Sequence, residues 1–379
     1  MKRWSWRALK AIGLVLLLTT LAMLVTGWTS FGHRATGARR DRMAHSPEWH
    51  DGAFVNPQPI VNHLGPMLRG LFSGAATSPT TLPTTARPEL RAPPASGLRV
   101  TWLGHSTTLV EIDGQRVLTD PVWSERTSPF RSIGPRRFYP PPLPLDALPP
   151  IDAVVISHDH YDHLDRATVL ALDARGTRFV VPLGVGAHLE YWGIPAAHIV
   201  ELDWWQRTRI GALEIVSTPA RHASGRQLFD RDATLWCGYA LVGARHRVYY
   251  SGDTGLFPGL RDIGARLGPF DLTMIEIGQY SRGWPDWHSG PEQAVRAHQW
   301  VRGKIMLPVH WGLFALASHG WTEPIKRALA AANAAGVSLL TPRPGQSIEP
   351  GAAPPSERWW PPLPWHTAAE DPIVSSQVD

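Results

Sequence analysis

The chain has 379 residues, of which 43% are hydrophobic; this suits one large globular domain or two smaller ones and excludes a largely disordered protein. Its formal charge of +5 is not gathered into long blocks of lysine and arginine, so nucleic-acid binding is not indicated. The single cysteine, Cys237, excludes an internal disulfide and a cysteine-based metal cluster within one chain. Any metal must therefore be held by histidines and carboxylates.

The N-terminus carries the pattern of an export signal. Four basic residues within the first ten precede an apolar run over residues 11–25. A run of this size lies between the length of a cleaved signal peptide and that of a short membrane-spanning helix. We therefore expect residues 1–28 to be a signal peptide or an N-terminal membrane anchor. The protein would then belong to the cell envelope, either anchored in the inner membrane or periplasmic.

The rest of the chain divides by composition and hydrophobic pattern. We expect an extended arm over residues 29–97, a folded domain over 98–348 and a proline-rich tail over 349–379. Many strands with irregularly interspersed helices favour an α/β sandwich of two sheets over a doubly wound sheet. The predicted strands are 98–103, 107–112, 116–120, 153–156, 178–181, 213–217, 238–242, 246–250 and 272–276, and the predicted helices begin near residue 165 and span 291–301 and 323–335.

Residues 157–165, with the sequence SHDHYDHLD, come directly after a predicted buried strand. The spacing His-x-His-x-Asp-His over 158–163 lets a turn bring alternate side chains to one point. Neutral imidazoles and carboxylates are the ligands that suit Zn²⁺ and related ions when thiolates are absent. One tetrahedral zinc ion needs only three of these side chains plus water, so the surplus indicates two metals.

Three later segments place a metal-binding type of residue after an apolar strand. They contain His222, Asp253 in a glycine-flanked turn, and His310. Because the ends of several strands meet at one edge of a sheet, these side chains can join the histidine-rich segment.

Further stretches match a known family together with residues 157–165. They are 46–56 (SPEWHDGAFVN), 102–107 (WLGHST), 118–121 (LTDP), 134–138 (GPRRF), 251–255 (SGDTG) and 310–315 (HWGLFA). The chain resembles the metallo-β-lactamase superfamily and, within it, the N-acylphosphatidylethanolamine-hydrolysing phospholipase D family and its bacterial relatives.

The resemblance implies an αββα sandwich, of the α+β or α/β class, with a dinuclear metal site at the edge of the two sheets. The cofactors would be two Zn²⁺ ions or other divalent metals. A hydroxide shared by the ions would attack the phosphorus of a phosphodiester. The implied ligands are His158, His160 and His222 for one ion, Asp162, His163 and His310 for the other, and Asp253 as a bridge.

The implied activity is a zinc-dependent phospholipase D-type hydrolysis of (N-acyl)phosphatidylethanolamine-like phospholipids. The partners would be this substrate and a membrane surface, with a homodimer left open. Further residues are expected around the phosphate. They are His288 and Tyr161 in contact with it, Asp165 in support of a ligand histidine, and Arg136 and Arg137 as phosphate contacts.

Two other functions remain open at this point. The same site could serve a lactonase or another ester hydrolase, because an activated hydroxide also attacks acyl carbon. A non-catalytic envelope protein with a structural metal site is a third reading, although structural zinc sites are closed and are rarely dinuclear.

Overall fold

Two seven-stranded sheets lie face to face in the structure, a computed structural model that describes residues 2–70, 74–81, 83–352 and 357–378. Helices cover the outer faces of both sheets. The predicted αββα sandwich is confirmed.

The strands and helices are as follows in chain order. The strands are β1 Trp49–His50, β2 Ala53–Phe54, β3 Leu98–Gly104, β4 Thr107–Ile112, β5 Gln115–Thr119, β6 Ala153–Val155, β7 Arg178–Pro182, β8 Ile199–Leu202, β9 Arg207–Ile210, β10 Leu213–Thr218, β11 Gly238–Val242, β12 Arg247–Tyr250, β13 Phe270–Glu276, β14 Gly303–Val309, β15 Ser338–Leu339 and β16 Ser347–Ile348. The helices are α1 Lys2–Gly27, α2 Gly37–Met43, α3 Leu64–Gly70, α4 Arg166–Asp173, α5 Gly186–Tyr191, α6 Gly259–Leu267, α7 Pro291–Trp300 and α8 Glu323–Ala335.

Each sheet is part antiparallel and part parallel. The first has the order β16-β3-β4-β5-β6-β7-β8 and is parallel from β5 to β8. The second has the order β15-β14-β13-β12-β11-β10-β9 and is parallel from β15 to β12. The parallel part of each sheet sends its strands toward one edge, where the loops that follow them can meet.

The strands of the first sheet are apolar on both faces. In β6, Val155 points into the core between the sheets, while Val154 joins the outer cluster that includes Leu172 of α4. This alternation follows from the two-residue period of a strand. Because both faces are covered, the strands have the continuous apolar sequence from which they were predicted.

The short elements were not predicted from the sequence. β1, β2, β15 and β16 have two residues each, too few to show a periodicity. The proline-rich tail packs back on the domain, because Trp360 and Ile373 are buried. α1 covers most of the expected export segment, and within the described residues no helix carries an apolar stretch long enough to cross a membrane.

The central strand β13 offers a test of the core. Leu272 is fully buried between neighbours on β12 and β14. We expect Leu272→Ala to lower the free energy of unfolding by about 2–5 kcal/mol, because the cavity left behind cannot fully collapse. Urea titration measures this, and Leu228→Ala at a 91% exposed position is the control, expected to change it by less than about 0.5 kcal/mol. Equal effects in the two variants would contradict this packing.

Candidate metal centre

The predicted ligands meet at one edge of the sandwich. We call residues 157–165 the histidine loop; it leaves the end of β6 in the first sheet. His222, Asp253 and His310 follow β10, β12 and β14, which run in the same direction in the second sheet. All of the predicted ligands are therefore delivered to the same place.

Three imidazoles form the first half of the centre. The Nδ1 atom of His160 lies 2.8 Å from His158 Nε2 and 3.4 Å from His222 Nε2. His158 and His222 are fully buried, and burial lowers the pKa of each ring well below its usual value. Neutral imidazoles with converging nitrogen atoms are the form that binds a divalent metal.

One carboxylate and two imidazoles form the second half. Asp162 Oδ2 lies 3.3 Å from His163 Nε2 and 3.4 Å from His310 Nε2. The positive φ angle of His310, 62°, turns its backbone sharply after β14. This left-handed conformation is uncommon for a residue other than glycine.

A single oxygen of Asp253 lies between the two halves. Its Oδ2 atom is 3.1 Å from both His163 Nε2 and His310 Nε2, and 3.9 Å and 3.8 Å from the Nε2 atoms of His158 and His222. From this position one carboxylate oxygen is close to the donor atoms of both halves.

The chemistry of the donors fits divalent cations. Asp253 Oδ1 and His163 Nε2 are buried without a hydrogen-bond partner among the described residues. Burial disfavours charge on His163 and His310, but the neighbouring carboxylates, Asp253 first among them, together outweigh burial and raise the pKa of both rings well above the usual value. Bound cations would supply the positive charge that these carboxylates favour beside them.

Asp120 supports the ligands from behind, a role that sequence reasoning assigned to Asp165. The Asp120 Oδ2 atom accepts hydrogen bonds from His163 Nδ1 at 2.6 Å, from Ser157 Oγ at 2.5 Å and from the Tyr250 hydroxyl. Ser157 Oγ is in turn 2.9 Å from His158 Nδ1. Asp120 therefore orients one histidine from each half of the centre.

Asp165 has a different role in the structure. Its side chain accepts hydrogen bonds from Ala167 N and Thr168 Oγ1 at the start of α4, and from Ser124 N and Oγ. It caps the helix and fixes the neighbouring loop. None of its hydrogen bonds within the described chain reaches a ligand histidine.

His105 and Glu276 were not singled out in the sequence. His105 is fully buried; its pKa is lowered to about 3 by burial and by the nearby His310. The neutral ring donates from Nε2 to Asp162 Oδ2 at 2.9 Å, and its carbonyl accepts from His310 N. The only sequence signal was that His105 lies in the family-like stretch WLGHST.

Glu276 links the centre to His288. Its Oε2 atom accepts a hydrogen bond from His288 Nδ1 at 2.8 Å and lies 3.3 Å from His310 Nδ1. His288 thus lies at the site, as predicted, and its Nδ1 atom is 3.8 Å from Asp253 Oδ2. The hydrogen bond to Glu276 fixes the tautomer and leaves Nε2 available to exchange a proton.

The remaining predicted residues lie elsewhere. The Tyr161 hydroxyl donates to Arg226 O at 2.8 Å, away from the metal cavity. Arg136 pairs with Glu125 at 2.5 Å on the exposed surface, and Arg137 donates to the carbonyl of Trp123. The sequence analysis predicted that these three residues contact the substrate phosphate. None of them lines the metal cavity in the structure.

The arm and the tail both form hydrogen bonds next to His222. The buried side chain of Arg221 bonds Asp286 at 3.0 Å, Pro59 O in the arm and Ser376 in the tail. Asp286 also accepts from Ser376 N and from Val61 N in the arm. We call this group the Arg221–Asp286 clasp. It joins arm and tail to the segment that carries His222.

A cavity of about 370 Å³ opens onto the centre. Its floor includes His160, Asp162 and Asp253, together with His288. A charged floor with apolar walls suits a substrate that has a polar reacting group and an apolar body. The apolar walls are formed by Met67, Trp284, Trp287 and Leu316.

Comparison with known proteins agrees with this geometry. The family described as "Beta-lactamase superfamily domain" matches residues 115–311, about half of the chain. The chain belongs to this superfamily. The predicted resemblance is thus confirmed, and this beta-lactamase superfamily protein is a metal-dependent hydrolase by family and fold.

Individual relatives extend the comparison beyond the family domain. An uncharacterized protein of Mycobacterium tuberculosis is 50% identical over 83% of this chain and 87% of its own length. The N-acyl-phosphatidylethanolamine-hydrolyzing phospholipase D 1 of Caenorhabditis elegans is 39% identical over 59% of this chain and 66% of its own. The metallo hydrolase Igni18 of Ignicoccus hospitalis, a solved structure, covers 66% of this chain and 97% of its own with a TM-score of 0.52; at 22% identity it shows the same fold.

Support by Asp120 can be separated from support by Asp165. We expect Asp120→Asn to weaken metal binding about 10- to 100-fold, because Asn cannot hold both histidines as a carboxylate does. Competition against a chelator, followed by metal analysis, measures the affinity. Asp165→Asn is the matched control, expected to lower the melting temperature and leave metal affinity unchanged. The reverse pattern would return the supporting role to Asp165.

Proposed function

We propose that the protein is a phospholipase D-type phosphodiesterase that uses two zinc ions to hydrolyse phospholipids resembling (N-acyl)phosphatidylethanolamine. The observation that carries the proposal is the position of Asp253 Oδ2 between two sets of ligands, at the floor of a cavity with apolar walls. The nematode relative named as a phospholipase D supports the substrate class.

The residues of the chain would divide the work around a phosphodiester. When bound, two divalent cations supply Lewis-acid activation of water and stabilise negative charge on phosphoryl oxygens. His158, His160 and His222 would hold one cation and Asp162, His163 and His310 the other. His105 and Asp120 keep Asp162 and His163 oriented.

His288 is the residue proposed to move a proton. Its Nδ1–H donates to Glu276, which fixes the orientation of the ring and leaves Nε2 as the nitrogen that exchanges the proton. His288 Nε2 then gives a proton to the alcohol oxygen as the phosphorus–oxygen bond to the head group breaks. Water supplies the new oxygen on phosphorus, and the proton that this water loses replaces the one given by His288, so that the products are a phosphatidic acid and the free head-group alcohol.

The apolar walls explain the preference for a lipid. Trp284, Trp287, Met67 and Leu316 surround the approach to the charged floor. The start of an acyl chain can contact them while the phosphate reaches the ligands. Together with the basic and apolar N-terminal segment, this supports work at a membrane surface of the cell envelope.

The substrate class can be tested directly. We expect the zinc-loaded full chain to release phosphatidic acid from N-acylated phosphatidylethanolamine in mixed micelles, measured by mass spectrometry. Asp253→Ala should abolish release, whereas Asp262→Ala at an exposed position should retain it. Turnover of lactones with no release of phosphatidic acid would instead identify the protein as an acyl-ester hydrolase of the same fold.

The role of His288 has its own test. We expect His288→Ala to lower kcat about 10²- to 10⁴-fold, because general acid catalysis is lost, while metal content stays unchanged. The decrease should be smaller for a substrate with an acidic leaving group, such as a nitrophenyl phosphodiester. His366→Ala, at a 64% exposed side chain, is the control expected to leave kcat unchanged. An equal loss on both substrates would exclude proton donation by His288.

A further inference from the structure

A second cavity shares the histidine loop with the metal centre. Its volume is about 290 Å³, and its lining includes Tyr161, Ser30 and the first residues of α4. Whereas His160 and Asp162 line the metal cavity, the residue between them, Tyr161, lines this one. The two cavities therefore use alternate residues of the same loop.

The second cavity has a surplus of positive charge. Its two carboxylates have partners: Glu125 pairs with Arg136, and Asp165 accepts hydrogen bonds from Ser124 and Thr168. Four guanidinium groups also line it, and within the described residues none lies within 4.0 Å of a carboxylate oxygen. These four residues are Arg126, Arg131, Arg166 and Arg226.

Two of these arginines, Arg226 and Arg166, have buried donor groups in the cavity wall. Arg226 is 4% exposed, and its guanidinium group donates only to backbone carbonyls, those of Ser30, Asp159 and Leu164. Its guanidinium group also lies over the Tyr161 ring, 4.0 Å from the centroid. The chain therefore holds a buried guanidinium group in a fixed position at the cavity wall, where no carboxylate oxygen of the described residues lies within 4.0 Å of it and Asp159, Asp165 and Asp230 act on its charge only from farther away.

Arg166 presents a donor that lacks an acceptor. Its Nε atom is buried and has no hydrogen-bond partner in the described chain. Arg126 uses Nη1 on the carbonyl of Gly134, so the rest of its planar fork remains for another acceptor. Forked guanidinium donors match the oxygen geometry of a phosphate group.

The cavity lies beside the end of α1. Phe130 of the cavity wall packs against Gly27 and makes an edge-on contact with Phe31, with ring centroids 6.1 Å apart. Exposed apolar side chains continue along α1, from Leu14 to Leu18 among others. A phosphate in the cavity would thus lie where an exposed apolar helix meets the folded domain.

We propose that this cavity, the arginine pocket, is a non-catalytic phosphate-binding site that accepts the head group of an anionic phospholipid. The bound group makes hydrogen bonds and ion pairs with Arg126 and Arg166, and the lipid chains lie along α1. No bond is broken there. The site is separate from the ligands of the metal centre, and it stands whichever ester the metal centre hydrolyses.

Phosphate binding tests the pocket itself. Metal-loaded full chain is dialysed to equilibrium with radiolabelled inorganic phosphate, which can also bind at the metal centre. We expect Arg126→Gln combined with Arg166→Gln to bind one phosphate fewer per chain, with at least a tenfold loss of affinity at the lost site and an unchanged metal content. Arg178→Gln combined with Arg209→Gln, both exposed, is the charge-matched control expected to bind like the unaltered chain.

Binding to vesicles distinguishes a phospholipid head group from free phosphate as the ligand of the pocket. We expect tighter binding to phosphatidylcholine vesicles that contain phosphatidylglycerol than to phosphatidylcholine alone, and loss of this gain in the pocket variant but not in the control pair. Unchanged phosphate stoichiometry in the pocket variant would overturn the site. Loss of phosphate with no effect of phosphatidylglycerol would overturn the lipid source and leave free phosphate as the ligand. Arg131→Glu, an exposed change at the same cavity, should act in the same direction and guards against misfolding of the double variant.

Discussion

The concentration of charge around Asp253 is the constraint on which the rest of the structure depends. One buried carboxylate oxygen of Asp253 lies within 4 Å of five imidazole nitrogens, and a second carboxylate, Asp162, lies beside two of them. Buried carboxylates are stable only when they are neutralised. The site therefore needs cations. The residues around it must keep every donor atom in position before the cations bind.

The fold meets this demand by placing the ligands on the ends of rigid strands and by bracing them from behind. His105 and Asp120 directly follow β3 and β5 of the first sheet, and Glu276 is the last residue of β13 in the second. Each supporting group bonds a ligand or the neighbouring His288, and none of the three lines the metal cavity. Such bracing reduces the reorganisation needed when metal and substrate bind.

The elements that carry the ligands could be predicted, because they are apolar strands followed by histidine or aspartate. β4 and β11 have the predicted bounds, and α4 starts one residue after the expected Asp165. The supporting residues could not be predicted in this way. Asp120 is 43 residues from His163, and their contact exists only because β5 pairs with β6. Asp165 was favoured by its closeness in sequence, but local signals also suit a helix cap, and that role prevailed.

Tyr161 illustrates a second limit of sequence reasoning. Residues on a turn do not follow a simple alternation, so the side of the loop that a given side chain takes depends on what packs there. Arg226, 65 residues away, provides both the carbonyl that accepts from Tyr161 and the cation over its ring. Neither contact can be predicted from the nine residues of the loop alone.

The Arg221–Asp286 clasp changes what counts as one folding unit. The family domain matches residues 115–311, yet Pro59 and Val61 from the arm and Ser376 from the tail bond the same buried ion pair. Through Arg221, the segment that carries His222 is bonded to both the arm and the tail. The position of Arg221, next to the ligand His222, therefore depends on contacts with residues 162 positions before it and 155 positions after it in the chain.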